Sequence, residues 1–277
     1  PSGQVDALLA HASEAAGAFE PVSAAWAQAR FPALRPGWVV AAQYDDTAAD
    51  IDVATLHEGY LRRYRERGGE LVCDAVVHLA REGAGWRVRA GERVIRCEVV
   101  VDAAGAWGDA VASAAGVRPL GLQPKRRTAA VIETSAEVGR WPFLVDAAET
   151  FYLKPDAGRL LLSPADETDV EPHDAQADDL ALAEGVARME AATTLTVTRR
   201  PRAWAGLRTF TPDRVPAVGF DPDVPGFFWL VGQGGFGVQT APALSRLAAA
   251  LVLGRPPDDD LLATGASPGR YHPARFR

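Results

Sequence analysis

Apolar positions along this chain follow two spacings, and each change from one to the other marks an element. Val53, Leu56, Tyr60, Leu61 and Tyr64 recur every three or four residues, which predicts an amphipathic helix. Asp52 stands at its start as an N-cap, Arg62, Arg63, Arg65 and Arg67 complement the dipole at its end, and Gly68-Gly69 stop it. Residues 70–79 then alternate as a strand, with pairing partners expected at 86–89 and 94–101. The run from Val99 to Trp107 passes from a buried strand through small residues into a helix. Runs at 128–133, 143–145, 151–154 and 159–163 predict an antiparallel sheet, with Asp156-Ala157-Gly158 as a hairpin turn. Residues 164–173 read as an acidic loop, 177–189 as a helix and 193–199 as a β-branched run. Near the start, Val5, Leu8, Leu9, Phe19, Val22 and Trp26 predict two short helices broken near Gly17 and Pro21, followed by a connection and a strand at 38–44.

The stretch 204–254 organises the rest. Arg208 leads into the turn cluster Thr211-Pro212-Asp213, and 215–220 and 227–231 are short apolar runs that read as buried strands. The second ends in Gly232-Gln233-Gly234-Gly235-Phe236-Gly237. Ala241, Leu244, Leu247, Ala248, Leu251 and Val252 then recur at helical spacing up to Gly254, a C-cap. A strand, a glycine-dense turn and a helix bring bare backbone and unpaired N–H groups to a ligand. The same pattern also serves as a plain tight turn in any α/β protein.

Composition narrows the class. With 48% hydrophobic and 23% charged residues the chain is globular, and its formal net charge of −7 argues against nucleic acid and anionic membranes. No apolar run of about 18 residues spans a bilayer, and no signal peptide is visible at the start. Cys73 and Cys97 both fall in strand-like segments outside any C-x-x-C pair, which predicts buried free thiols and a reducing, cytoplasmic setting. The five histidines are scattered, so no metal site is expected.

Arg127 and Arg208 each present a planar fork that matches a carboxylate, and Tyr152 could add a phenol. Taken singly, each arginine could equally pair with a nearby acid, and Tyr152 could be core. The segments "VVDAAGAW", "GVRPLGLQPKRR", "TFYLKPDAG", "SPADETDVEPHD", "AGLRTF" and "GFDPDVPGFFWLVGQGGFGVQT" resemble the FAD-dependent D-amino-acid oxidase superfamily, and within it the catabolic D-arginine dehydrogenases. The resemblance runs over essentially the whole chain. It implies that Arg127, Tyr152 and Arg208 hold the substrate α-carboxylate and that the Gly235 carbonyl faces the substrate amine. Glu149 falls where the family has an acid lining the pocket. Gly234, Gly235, Phe236, Gly237, Val238 and Gln239 match the turn along the flavin ring, Gly105 the strand end beside the cofactor, and Val76 a backbone contact to it. Asp102 stands where relatives often have Asn.

The implied fold is α/β: a Rossmann-like FAD-binding domain interleaved with an antiparallel-sheet substrate domain. The boundaries expected are 1–48 and 119–209 for the substrate domain and 49–118 and 210–277 for the FAD-binding domain, with Arg208 in the substrate lobe. The strand, G-x-G-x-x-G turn and helix that grip the pyrophosphate in this superfamily are absent from the sequence. The expectation is therefore a fragment lacking its first βαβ unit, which does not hold FAD tightly alone. The implied reaction is oxidative deamination of D-amino acids, basic ones favoured, to 2-oxo acids and ammonia, with an unspecified electron acceptor. The alternatives are a glycine- or sarcosine-type oxidase and a flavin-free, non-catalytic carboxylate binder.

Overall fold

The computed structural model describes residues 19–73 and 77–277. In chain order the elements are β1 Glu20–Val22, α1 Ala24–Arg30, β2 Ala42–Tyr44, α2 Val53–Glu66, β3 Val77–Glu82, β4 Gly85–Ala90, β5 Arg93–Cys97, β6 Val100–Asp102 and α3 Gly108–Ala114. There follow β7 Gln123–Ile132, β8 Leu144–Val145, β9 Tyr152–Asp156, β10 Arg159–Ser163, β11 Thr168–Asp169, α4 Asp179–Ala192 and β12 Arg202–Phe210. The chain closes with β13 Ala217–Phe220, β14 Phe227–Val231, α5 Gly237–Val252, α6 Asp259–Ala263 and α7 Pro268–Tyr271. These elements fall into two compact units, each assembled from separate stretches of sequence.

The first unit comprises Pro1–Asp50, Arg126–Thr168 and His173–Gly206. Its sheet has the order β11-β7-β10-β9-β8, with β12 also on β7. Ile132, Leu153, Leu160 and Leu162 line one face of the sheet and pack with Met189 and Ala192 of α4 and with Phe31 and Leu34. Asp178 caps α4 by accepting from the Ala181 N–H at 2.8 Å. The β9–β10 hairpin turns through Ala157 and Gly158, at φ 47° and 79°. Two successive positive φ values define the mirror-image turn that suits the twist of a hairpin.

The second unit comprises Ile51–Lys125, Asp169–Pro172 and Leu207–Arg277. Its central sheet has the order β13-β14-β6, with β14 antiparallel to β13 and parallel to β6. Residues of β14 alternate between two cores. Phe227, Trp229 and Val231 join Ala112 of α3 and Trp86, whereas Phe228 joins Leu244, Leu247 and Ala248 of α5. Burial on both faces is why this strand reads as an unbroken apolar run. A separate antiparallel meander, β3-β4-β5, contributes Trp86 to the first of those cores. The last residue, Arg277, donates to the buried Asp221 carboxylate and to the Arg118 carbonyl, and Asp221 also accepts from the Trp229 indole at 3.0 Å.

Several expectations are corrected. The break expected near Pro21 is a strand, Glu20–Val22, paired with β2, and the helix expected beyond it is α1; the helix expected before Gly17 lies outside the described residues. The strand at 38–44 shortens to Ala42–Tyr44, and that at 70–79 begins only at Val77 among the described residues. The expected strand at 94–101 is two: β5 ends at Cys97 in the meander, and β6 starts at Val100 beside β14. The β-branched run 193–199 leads back to Arg208, as expected, through β12. Cys73 is exposed and Cys97 half-buried. Arg208 lies in β12, a strand of the antiparallel sheet, although the two compact units divide within that strand, between Gly206 and Leu207.

Candidate functional site

In the second unit, two parallel strands end side by side and lead into matching turns. Trp229 of β14 stands opposite Asp102 of β6. Beyond them Gly105 and Gly234 each take positive φ, 57° and 56°, and each begins a short 3₁₀ turn, Gly105–Trp107 and Gly234–Phe236. Helices α3 and α5 follow at once, at Gly108 and Gly237. The space outside the carboxyl ends of parallel strands is where α/β folds take their ligands.

Close packing behind the second turn leaves no room for side chains. A Cβ on Gly232 would stand 2.6 Å from Thr211, one on Gly234 2.4 Å from the Phe210 ring, and one on Gly235 2.7 Å from the Arg208 guanidinium. The outer side is open: Gly235, Phe236, Val238 and Gln239 are all exposed, Phe236 by 61%. No side chain caps α5, which starts directly from the 3₁₀ turn at Gly237, and a helix N-terminus is a place where an acceptor can be held. An exposed ledge of glycine backbone at the start of a helix fits a flat, acceptor-rich cofactor such as FAD, and Gly105 and residues 234–239 would hold it.

Asp102 is the functional-looking residue that the sequence underplays. It is 2% exposed, Oδ1 accepts from the Ala104 N–H at 3.0 Å, and Oδ2 has no partner. Burial, with Asp109 nearby, pushes this carboxyl up to about 6. Its only sequence signal is an acid closing an apolar strand. Asp213, in the turn before β13, is held down at about 2 by the hydrogen bond from Arg275, which pins that turn structurally.

The first unit places Arg127 and Tyr152 on one face of its sheet. Tyr152 lies opposite Ser163, and Leu162 opposite Ala130, so Ser163 adjoins Ala129 and Arg127 is two residues further along the same face. Arg127 donates from Nε to the Asp166 carbonyl at 2.8 Å and from Nη2 to Glu167 at 3.0 Å. The acid pairing that competes with a substrate role is therefore realised along one edge of this guanidinium. Tyr152 is half-buried, with its ring edge-on to Phe143 at 5.4 Å.

The remaining acid is Glu149. At φ 52° it lines a cleft of about 640 Å³ with Arg126, Asp166, Asp178, Glu184 and Arg188. Arg126 and Arg127 are neighbours on β7, so their side chains leave opposite faces, and Glu149 accompanies Arg126. Val76 lies outside the described residues. Among the described residues no group of three or more His, Cys, Asp or Glu is arranged for a metal, and no helix is long and apolar enough to cross a membrane.

Comparison with known proteins points to the same cofactor. The family model described as DAO, FAD dependent oxidoreductase, matches residues 2–251. The oxidoreductase YurR of Bacillus subtilis is 26% identical over 255 residues, covering 87% of this chain and 64% of YurR. A glycine oxidase of Pseudomonas aeruginosa is 28% identical over 238 residues, covering 80% of this chain and 60% of the oxidase. The chain thus spans less than two-thirds of the length of either relative. In fold, the crystal structure of L-proline dehydrogenase from P. horikoshii superposes with a TM-score of 0.78 at 20% identity, over 94% of this chain and 69% of that one. This likeness establishes an α/β FAD-binding fold interleaved with a β-sheet domain.

Proposed function

The chain belongs to the FAD-dependent oxidoreductase family, and on that premise we propose that the protein oxidises the C–N bond of an amino acid in the manner of a glycine oxidase. The observation that carries the reading is the Arg208 guanidinium packed against Gly235 on the exposed glycine ledge. A cation beside that backbone is suited to hold a carboxylate next to a cofactor that the ledge would hold.

Each group then has a task. Backbone donors of residues 234–239, together with Gly105, bind FAD. Arg208, Arg127 and Tyr152 hold the substrate carboxylate, each by donating N–H or O–H groups. The Gly235 carbonyl accepts from the substrate amine and fixes its orientation. Such positioning removes much of the entropic part of the barrier. Bound FAD supplies the hydride acceptor, so the amino acid leaves as an imine that water converts to a 2-oxo acid and ammonia.

The glycine oxidase relative favours this reading over the narrower one of basic D-amino acids. Glu149 lines a cleft with Arg126, Asp166 and Glu167, the last of which also accepts from Arg127. The test is anaerobic mixing of FAD-loaded protein with glycine, sarcosine and larger amino acids, followed by admission of air. Bleaching of the flavin band, with peroxide formed on reoxidation, is the expected result. An unbleached flavin, with melting temperature raised by carboxylates even without FAD, would instead mark a non-catalytic binder.

A further inference from the structure

We propose that the segment Pro273–Arg277 is a strap that fixes the roots of β7 and β12, with Arg277 and Arg275 as positioning residues for Arg127 and Arg208. The inference rests on the reading above, in which those two arginines hold one carboxylate.

Strands β7 and β12 pair with each other, and each carries one of the two arginines. Where each guanidinium comes to rest depends on how its strand leaves the connection beside it. The connection into β7, residues 118–122, has its backbone held from two sides. The Asp109 carboxylate, in the first turn of α3, accepts from the N–H groups of Leu120, Gly121 and Leu122 at 2.9, 2.9 and 2.7 Å. Arg277 donates to the carbonyls of Arg118 and Pro119, at 2.8 and 3.2 Å, and to the Asp221 carboxylate. The connection out of β12 is the turn after Phe210. There Arg275 donates to both oxygens of Asp213, at 2.7 and 3.2 Å, and to the carbonyls of Val215 and Pro216. Two guanidinium groups, two residues apart, thus bind one root each.

The strap is itself anchored. Pro273 is buried, and a Cβ on Gly219 would stand 3.0 Å from its ring. Phe276 packs on the core of Trp229 and Val231. The Arg277 side chain is 8% exposed, and Asp221 beneath it is fully buried. Apolar groups in place of such a buried pair commonly leave stability unchanged or raised. What the pair adds here is direction, because a planar fork grips several acceptors in one register, which a lysine cannot do.

The experiment uses the full chain loaded with FAD, its Arg275→Lys and Arg277→Lys variants, and Val252→Ala, which loosens the packing of α5 outside the strap. Lysine keeps the charge beside Asp213 or Asp221 and loses the fork. Melting temperature, KM and kcat for the amino acid that bleaches the flavin fastest, and the Kd of benzoate from the flavin spectrum are compared. Hydrogen–deuterium exchange of residues 118–127 and 207–216 is followed on the same proteins. Each lysine variant should raise KM and the benzoate Kd by roughly 10- to 100-fold, with kcat kept within about two-fold. Exchange should quicken at 118–127 in Arg277→Lys and at 207–216 in Arg275→Lys. Val252→Ala should lower the melting temperature and move none of the rest. Unmoved KM and Kd in both lysine variants, or a Val252→Ala that moves them as far, overturns the strap while leaving amino-acid oxidation intact. Should no amino acid bleach the flavin, oxidation itself fails, and exchange still decides the strap: equal protection of both segments in parent and lysine variants overturns it.

Discussion

Asp102 shows how one side chain can tie stability to pH. Its carboxyl ordinarily titrates at 3.8, and burial raises it to about 6 in the folded chain. Between those values the folded state holds a proton that the unfolded state has released. Stability therefore falls as pH rises through this window and stays low above it. A shift of about two units corresponds to about 3 kcal/mol. Asp102→Asn keeps the shape and removes the titration. The variant should melt above the parent near about pH 8, with the gap closing by about pH 4. A difference that does not change with pH would contradict this assignment. Other residues illustrate what sequence can carry at this scale. Arg127, Tyr152 and Arg208 are legible as carboxylate-holding types, but the face each one takes is not. Arg126 and Arg127 take opposite faces because β7 alternates, and Glu149 takes a left-handed backbone that residue identity does not announce.

Elements were legible where the local signal was strong, even for α2, which buries none of its residues. Helix α2 follows its apolar spacing and its Asp52 cap, and β14 and α5 follow theirs. The β9–β10 hairpin likewise lies where Asp156-Ala157-Gly158 predicts a turn. Its backbone adds a detail: Ala157 sits at φ 47°, a conformation that costs an L-residue with a Cβ about 1 kcal/mol. Ala157→Asn, which creates the preferred Asn-Gly pair, should stabilise the first unit by about 0.5–1 kcal/mol. Denaturant titration checks this, and a lower midpoint would mean that the turn relaxes elsewhere. Elements failed to be legible where pairing is long-range. Nothing local separates Cys97 from Val100, yet β5 pairs with its meander neighbour while β6 pairs with a strand more than a hundred positions later. Only the β14 partner explains the break.

At the scale of the whole molecule, each unit is stitched from distant segments, and the seams fall inside elements. The boundary between Gly206 and Leu207 divides β12, so Arg208 joins the glycine ledge while the start of its own strand belongs to the unit of Arg127 and Tyr152. Composition could not place that seam, because both sides of it are the same strand. The ledge itself was readable as a strand, glycine turn and helix; the parallel partner that completes it, β6 with its own turn at Gly105, became visible only through pairing. The central claim is that the ledge holds FAD and that Arg208, Arg127 and Tyr152 grip one carboxylate. A crystal structure of the protein with FAD and a slowly oxidised amino acid tests it most directly. The account predicts the flavin ring along residues 234–239 and the carboxylate hydrogen-bonded to both arginines and the phenol. A carboxylate seated instead in the cleft of Glu149 and Arg126, or a flavin remote from Gly235, would contradict it.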